Sequence, residues 1–172
     1  KIPAPLPTIS SVKHDAKQRT PIHLLERGDP DKKGEALTMR PLGVLLPEGA
    51  DGLPDDLATP RTHLADWITD EKNPLTARVI VNRLWQYHFG NGLVGTANAF
   101  GLDGDEPTHP ELLDFLANEL VANQWRLKPI HRMILLSSTY RRSNAINPKQ
   151  QELDPNNRWL SRFSRRRLAA HE

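Results

Sequence analysis

The spacing of hydrophobic and polar positions changes near residue 59 and divides the chain into two predicted regions. Before that point, two short apolar runs, 22–25 and 42–46, stand among prolines and glycines. Short apolar runs bounded by turn residues are typical of β-strands. We therefore expect residues 1–58 to form an extended arm that contains one or two short strands.

After residue 59 the apolar residues recur every three or four positions, which is the spacing of amphipathic helices. A proline within the first turn marks the start of several of these helices. The predicted helices span about 60–70, 74–89, 109–123, 129–142 and 154–172. The apolar stripe of helix 74–89 is broad, so we expect this helix to be central and mostly buried.

Together these patterns predict a mainly α fold, with an irregular helical domain over residues 59–172 and an N-terminal arm. The helical pattern runs on to the last residue, and the opening residues KIPAPLP contain no signal-peptide pattern. We therefore expect both ends to be cuts in a longer polypeptide and the helical domain to be incomplete at its C-terminus. No apolar run reaches the ~18 residues of a membrane-spanning helix, so no span is predicted.

The segment FGNGLVG contains Gly90, Gly92 and Gly95 in the G-x-G-x-x-G spacing of dinucleotide-binding loops. Such a loop binds pyrophosphate when a strand precedes it and a helix opens at its end. Here a predicted helix precedes the glycines and an irregular loop follows them. We expect Gly90 to end that helix and Asn91-Gly92 to form a tight turn, with no cofactor site in this chain.

Polar side chains interrupt the apolar pattern of helix 74–89 at Arg78, Asn82 and Arg83. Polar groups on a buried helix must be hydrogen-bonded. Two interpretations remain open. In the first, these side chains hydrogen-bond to the glycine-rich loop at residues 90–107 (the glycine loop), with its acidic residues at 103–106 as partners. In the second, they line a polar cleft and carry function.

The motif Thr108-His109-Pro110-Glu111 has the pattern of a capping box, with a hydroxyl at the N-cap and an acid three residues later. If the second interpretation holds, the candidate site residues around the glycine loop are Arg78, Asn82, Arg83, His109 and Glu111. The chain contains no serine-nucleophile motif and no metal-binding histidine spacing. The sequence therefore leaves open whether the protein is an enzyme, and it predicts no metal site.

Charge is distributed unevenly along the chain. Residues 1–123 carry 12 Lys/Arg and 18 Asp/Glu, whereas residues 124–172 carry 11 and 3. The two parts could attract each other, a longer chain could cover the basic end, or that end could bind an anionic polymer. Trp159 and Phe163 stand four residues apart among arginines, which favours an apolar helix stripe over a nucleic-acid site. The absence of cysteine excludes disulfides and thiolate metal sites.

Three long stretches carry a family resemblance: NPLTARVIVNRLWQYHFGNGLV, GDEPTHPELLDFLANEL and LKPIHRMILLSSTYRRSN. In this order they are similar to the planctomycete-specific C-terminal domain of unknown function found in large secreted proteins. The resemblance covers roughly residues 27–172, including RGDP near its start and DPNNRWL near its end. The family usually has an acidic residue where this chain has Ala99, and often a serine where it has Thr108. A site that needed this acid is therefore in doubt here.

The resemblance implies where the protein acts and which domains accompany it, and it implies no specific reaction. It implies a periplasmic or secreted protein in which a planctomycete c-type cytochrome module lies upstream, so that haem c is carried elsewhere on the parent chain. The expected function is a structural or interaction module of that multidomain protein, with its other domains as partners. The alternative is an enzyme or carbohydrate-binding domain that acts in polysaccharide breakdown, with a polysaccharide or anionic polymer as partner.

Overall fold

The structure is a computed structural model that describes residues 15–50 and 52–165. The described residues form a mainly helical fold with a two-stranded antiparallel sheet near the N-terminus, as the sequence predicts. The chain separates into two compact units, and the division falls after Asp70. The predicted division of the chain at residues 58 and 59 stays a prediction.

The first unit contains a β-hairpin and one helix. Strand β1 (Ile22–Leu25) pairs with β2 (Lys33–Leu37), so that Ile22 lies opposite Leu37. Helix α1 (Pro60–Thr69) begins after Thr59, as predicted.

The second strand lies earlier in the chain than the sequence analysis placed it. The predicted strand at 42–46 is instead a short 3₁₀ turn over Gly43–Leu45, and the strand is β2. Arg27 and Gly28 adopt positive φ angles of 52° and 79°, which reverses the chain directly after β1. The segment that follows this turn therefore pairs with β1 in preference to residues 42–46, because closing a short loop costs less entropy than closing a long one.

The second unit is built around α2 (Thr76–Phe89), which packs against both α3 (Pro110–Ala122) and α4 (Leu127–Leu136). A short helix, α5 (Pro148–Leu153), follows. Apolar residues of the three longer helices and of the glycine loop form one buried core: Ala77, Val81, Leu84, Trp85, Phe89, Leu93, Val94, Leu113, Leu116, Ala117, Leu120, Ile130 and Ile134. The central, mostly buried position predicted for α2 is confirmed.

Both ends of α2 follow local sequence signals. The Asn73 carboxamide oxygen accepts hydrogen bonds from the backbone N–H groups of Leu75 (3.1 Å) and Thr76 (3.3 Å) at the start of the helix. At the other end, Gly90 has a φ of 89° and its N–H donates to the carbonyl of Gln86 over 2.7 Å. The prediction that Gly90 ends the helix is confirmed, since a side chain disfavours this conformation.

Helix α4 ends six residues before its predicted end at Arg142. Ser137 is extended, and its hydroxyl donates to the carbonyl of Ile134 (2.7 Å) and accepts from the N–H of Tyr140 (3.1 Å). Serine side chains compete in this way with the backbone bonds of a helix. The local turn therefore replaces another turn of helix.

The predicted helix from Asp154 onward is wrong within the described residues. Residues 154–165 form an irregular segment, because the Asp154 carboxylate accepts from the N–H groups of Arg158 (2.7 Å) and Trp159 (2.8 Å). Trp159 is 66% exposed, so it does not form the predicted apolar stripe with Phe163. The rest of that predicted helix, residues 166–172, lies outside the described residues.

Candidate functional site

Asn82 holds the glycine loop against α2. Its side chain is 1% exposed, its amide nitrogen donates to the carbonyl of Val94 (3.1 Å), and its oxygen accepts from the N–H of Val94 (2.9 Å). The amide thus satisfies both backbone groups of one loop residue, as a neighbouring strand would. This contact confirms the interpretation that Asn82 pins the loop.

Gly92 is required by the same contact. A Cβ atom at this position would lie 2.5 Å from the Val94 carbonyl oxygen and 2.8 Å from both polar atoms of the Asn82 amide. Only glycine lets the loop backbone approach this closely. The glycine spacing therefore serves the packing of the loop on α2.

Arg78 and Arg83 make separate contacts. Arg83 donates to the side-chain oxygen of Asn98 over 3.0 Å, which is a second hydrogen-bonded contact between α2 and the glycine loop. Arg78 Nε donates to the Asp114 carboxylate over 2.6 Å and so joins α2 to α3. The predicted acidic partners at 103–106 are therefore wrong for Arg78. The hydrogen bond from Arg78, assisted by its charge, lowers the pKa of Asp114 against the opposing effect of burial.

His109 and Glu111 lie at the start of α3. The Thr108 hydroxyl donates to the carbonyl of Leu93 (3.2 Å), and the Thr108 N–H donates to the same oxygen (2.8 Å). Thr108 therefore does not cap α3 as predicted; His109 occupies the N-cap without a side-chain cap bond. His109 Nδ1 lies 3.0 Å from the Thr108 hydroxyl, and Glu111 is exposed in the first turn.

A cleft of about 520 Å³ opens in the second unit between the glycine loop and the segment 154–165. Its lining residues come from the end of α2, from the loop and from that segment: Trp85, Phe89, Asn91, Gly92, Leu93, Gly95, Asp105, Glu106, Thr108, Asn156, Asn157, Arg158, Leu160 and Ser164. None of the five candidate residues from the sequence is among them. Their catalytic role stays a prediction.

The wall formed by 154–165 is held by buried polar side chains. Asn157, with a positive φ of 52°, donates from its amide to the carbonyl of Arg162 (2.8 Å) and accepts from the Arg162 N–H (3.2 Å). Asp154 is also buried and binds the two N–H groups already described. Because these bonds satisfy the backbone internally, the segment keeps its shape without helical structure.

Five exposed polar side chains that line the cleft form no bonds within the described part of the fold. Within the described residues, the carboxylates of Asp105 and Glu106 and the guanidinium of Arg158 make no hydrogen bond or ion pair. The same holds for the side-chain amides of Asn91 and Asn156. The cleft therefore offers hydrogen-bond donors and acceptors that are open to a ligand.

Sequence reasoning missed the wall at 154–158 because it interpreted Asp154-Pro155 as a helix start. The run DPNN did contain a signal, since Asp and Asn side chains bind nearby backbone N–H groups in turns. The helix start was instead at Asn147-Pro148, where the Asn147 side chain accepts from the Lys149 N–H over 3.0 Å. Both motifs have a similar residue pattern, but the Asp154 carboxylate binds N–H groups four and five residues later, whereas the Asn147 side chain binds the N–H two residues later.

Two further findings concern the described part of the chain. It contains no group of three or more His, Cys, Asp or Glu side chains arranged to hold a metal ion. None of its helices combines the length and the apolar character needed to cross a membrane.

A search of curated proteins and a search of solved structures each found no match to this chain. The family PSD1, described as a protein of unknown function (DUF1553), matches residues 60–172, which include α1 to α5 and every residue that lines the cleft. Because this match covers more than half of its length, the chain belongs to the DUF1553 family.

Proposed function

We propose that this chain is an interaction module of a larger, multidomain protein. The observation that carries the proposal is the exposure of the first unit, in which none of residues 15, 17–50 and 52–70 is buried. Large apolar side chains of and near the hairpin are exposed, among them Ile22, Leu24, Leu37, Leu42 and Val44. A two-stranded hairpin is at best marginally stable in water unless another surface covers it.

A groove of about 840 Å³ in the first unit supports this proposal. Its lining is mainly apolar and includes both Ile22 and Leu37, at the open end of the hairpin, and Leu64 of α1. One arginine of the lining, Arg40, makes no hydrogen bond or ion pair within the described residues. Charge complementarity therefore favours a partner segment that is apolar and carries a carboxylate opposite Arg40.

The partner in this proposal is another domain of the same parent polypeptide. The sequence resemblance supports a planctomycete-type secreted protein with an upstream c-type cytochrome module, and with it a periplasmic or extracellular location. These details of the context rest on the resemblance alone. An extended segment that adds to the hairpin edge and fills the groove is the binding mode that fits the exposed strands.

Calorimetric titration of the full chain with the other domains of its parent protein tests the proposal. We expect saturable binding, which Leu37→Asp and Arg40→Glu should each weaken by about tenfold or more. Leu37→Asp places a charge in the apolar lining of the groove, and Arg40→Glu reverses the positive charge that would attract a carboxylate of the partner. Leu102→Asp, at a fully exposed site in the second unit, is the control and should bind as the parent chain does.

Circular dichroism must show that each variant keeps the parent helix content. Binding that is equal in all three variants would place the partner elsewhere, and no binding to any domain would refute the interaction role.

The alternative implied by the resemblance is an enzyme or carbohydrate-binding domain that acts in polysaccharide breakdown. The five residues predicted for it, Arg78, Asn82, Arg83, His109 and Glu111, do not line the cleft, and four of them make contacts that stabilise the fold or the start of α3. Those residues therefore add no support to this alternative.

A further inference from the structure

Trp85 supplies the most specific chemical signal in the cleft. The residue is 4% exposed, and its ring stacks on Phe89 with the centroids 4.2 Å apart, which fixes its position. Its indole N–H donates to no described residue and is not completely shielded from solvent. A buried indole N–H usually has a hydrogen-bond partner. Because Trp85 lines the cleft, a ligand there is a candidate source of the acceptor that this N–H lacks within the fold.

The other polar groups of the cleft limit the chemistry of that ligand. Asp105 and Glu106 only accept hydrogen bonds when ionised, Arg158 only donates, and the amides of Asn91 and Asn156 do both. Two carboxylates against one guanidinium disfavour an anionic ligand. An apolar ligand would leave these groups without partners, at a cost in free energy.

From these residues we infer that the cleft binds a neutral ligand that carries adjacent hydroxyl groups, the chemistry shared by saccharides and free polyols. Each hydroxyl both donates and accepts, so one ligand can satisfy the carboxylates, the guanidinium and the indole N–H. The cleft volume of about 520 Å³ is within the usual range for small-molecule sites. This inference bears on the carbohydrate-binding alternative but rests on the residues that line the cleft, none of which is among the five predicted for that alternative. It concerns the second unit and is independent of the interaction proposed for the groove.

Amide and indole NMR spectra of the full chain, labelled with ¹⁵N, provide the test. The chain has four tryptophans, and the variant Trp85→Phe identifies the indole signal of Trp85. The probes are neutral oligosaccharides of glucose, xylose and galactose, the polyols sorbitol and myo-inositol, and inorganic phosphate as an anion. We expect a neutral probe to shift the Trp85 indole signal, and the indole signal of Trp159, which does not line the cleft, to stay in place.

Matched variants test which groups make the contacts. Asp105→Asn and Arg158→Gln should each weaken binding of the active probe by about tenfold, because a charge-assisted hydrogen bond is lost. Asp103→Asn changes an exposed acid of the same loop that does not line the cleft, and should bind as the parent chain does. Trp85→Phe removes the indole N–H but keeps an aromatic ring, and should also weaken binding; Trp159→Phe is its control.

The probes that shift the Trp85 signal identify the class of ligand. A shift with oligosaccharides alone indicates a saccharide, and a shift with polyols alone indicates a small polyol. The inference is overturned if no neutral probe at millimolar concentration shifts the Trp85 signal, or if only phosphate does. It is also overturned if Asp103→Asn weakens binding as much as Asp105→Asn. Loss of partner binding in the separate titration has no bearing on these results.

Discussion

At the scale of single residues, Asn82 links the central helix to the loop that forms one wall of the cleft. We predict that Asn82→Ala lowers the free energy of unfolding by about 2–4 kcal/mol, because both the N–H and the carbonyl of buried Val94 lose their partner. Urea denaturation measures this change. Asn118→Ala, on the exposed face of α3, is the control and should change it by less than about 0.5 kcal/mol. Equal effects of the two variants would show that the Asn82 contact does not hold the loop.

The glycines of the loop differ in what a side chain would meet. Gly92→Ala should lower the free energy of unfolding by about 1–3 kcal/mol, since its Cβ would collide with the Val94 carbonyl and the Asn82 amide. Gly95→Ala should be milder, because its Cβ would meet only the Asp105 carboxylate, at the end of a side chain that can move. Thermal unfolding compares the two; a larger loss for Gly95→Ala would contradict this reading of the loop.

At the scale of elements, the ion pair between Arg78 and Asp114 joins α2 to α3. The pKa of Asp114 is lowered in the folded chain, so this pair stabilises the fold above the unfolded pKa of about 3.9, and the effect disappears as the pH falls through the folded pKa. Both side chains are partly exposed, which limits the contribution to about 0.5 kcal/mol.

We therefore predict that Arg78→Gln raises the pKa of Asp114, measured by NMR titration of its carboxyl carbon. The variant should be less stable than the parent chain at pH 7, and the difference should shrink below about pH 4 as Asp114 becomes neutral. An unchanged Asp114 titration would show that the pair does not form in solution.

Element boundaries were predictable where the deciding contacts are local. Gly90 ends α2 through a bond to Gln86 four residues earlier. Near its start, the Asn73 side chain accepts from the N–H groups of Leu75 and Thr76, although the N-cap itself is Leu75 and the helix begins two residues after the predicted Pro74. The end of α4 was not predicted, because Ser137 can either continue a helix or divert its own hydroxyl to the backbone. Helix and turn are close in energy at such a residue, so the surrounding packing decides.

At the scale of the whole molecule, the two units differ in how much surface they bury. The core residues all lie between Ala77 and Ile134 in the second unit, whereas none of residues 15, 17–50 and 52–70 of the first unit is buried. Burial of apolar surface is the main source of folding stability. The second unit therefore has its own core, while the interaction proposed for the first unit would supply the burial that it lacks.

The sequence by itself determined the helical class, the central position of α2, the first strand and the role of Gly90. These features depend on periodicity and on side chains within a few residues of each other, which a sequence displays directly. The tertiary structure alone decided which partner Arg78 takes and which residues line the cleft. Asp105 and Arg158 lie more than fifty positions apart, and only the packing of the loop and the segment 154–165 around α2 brings them to one cleft.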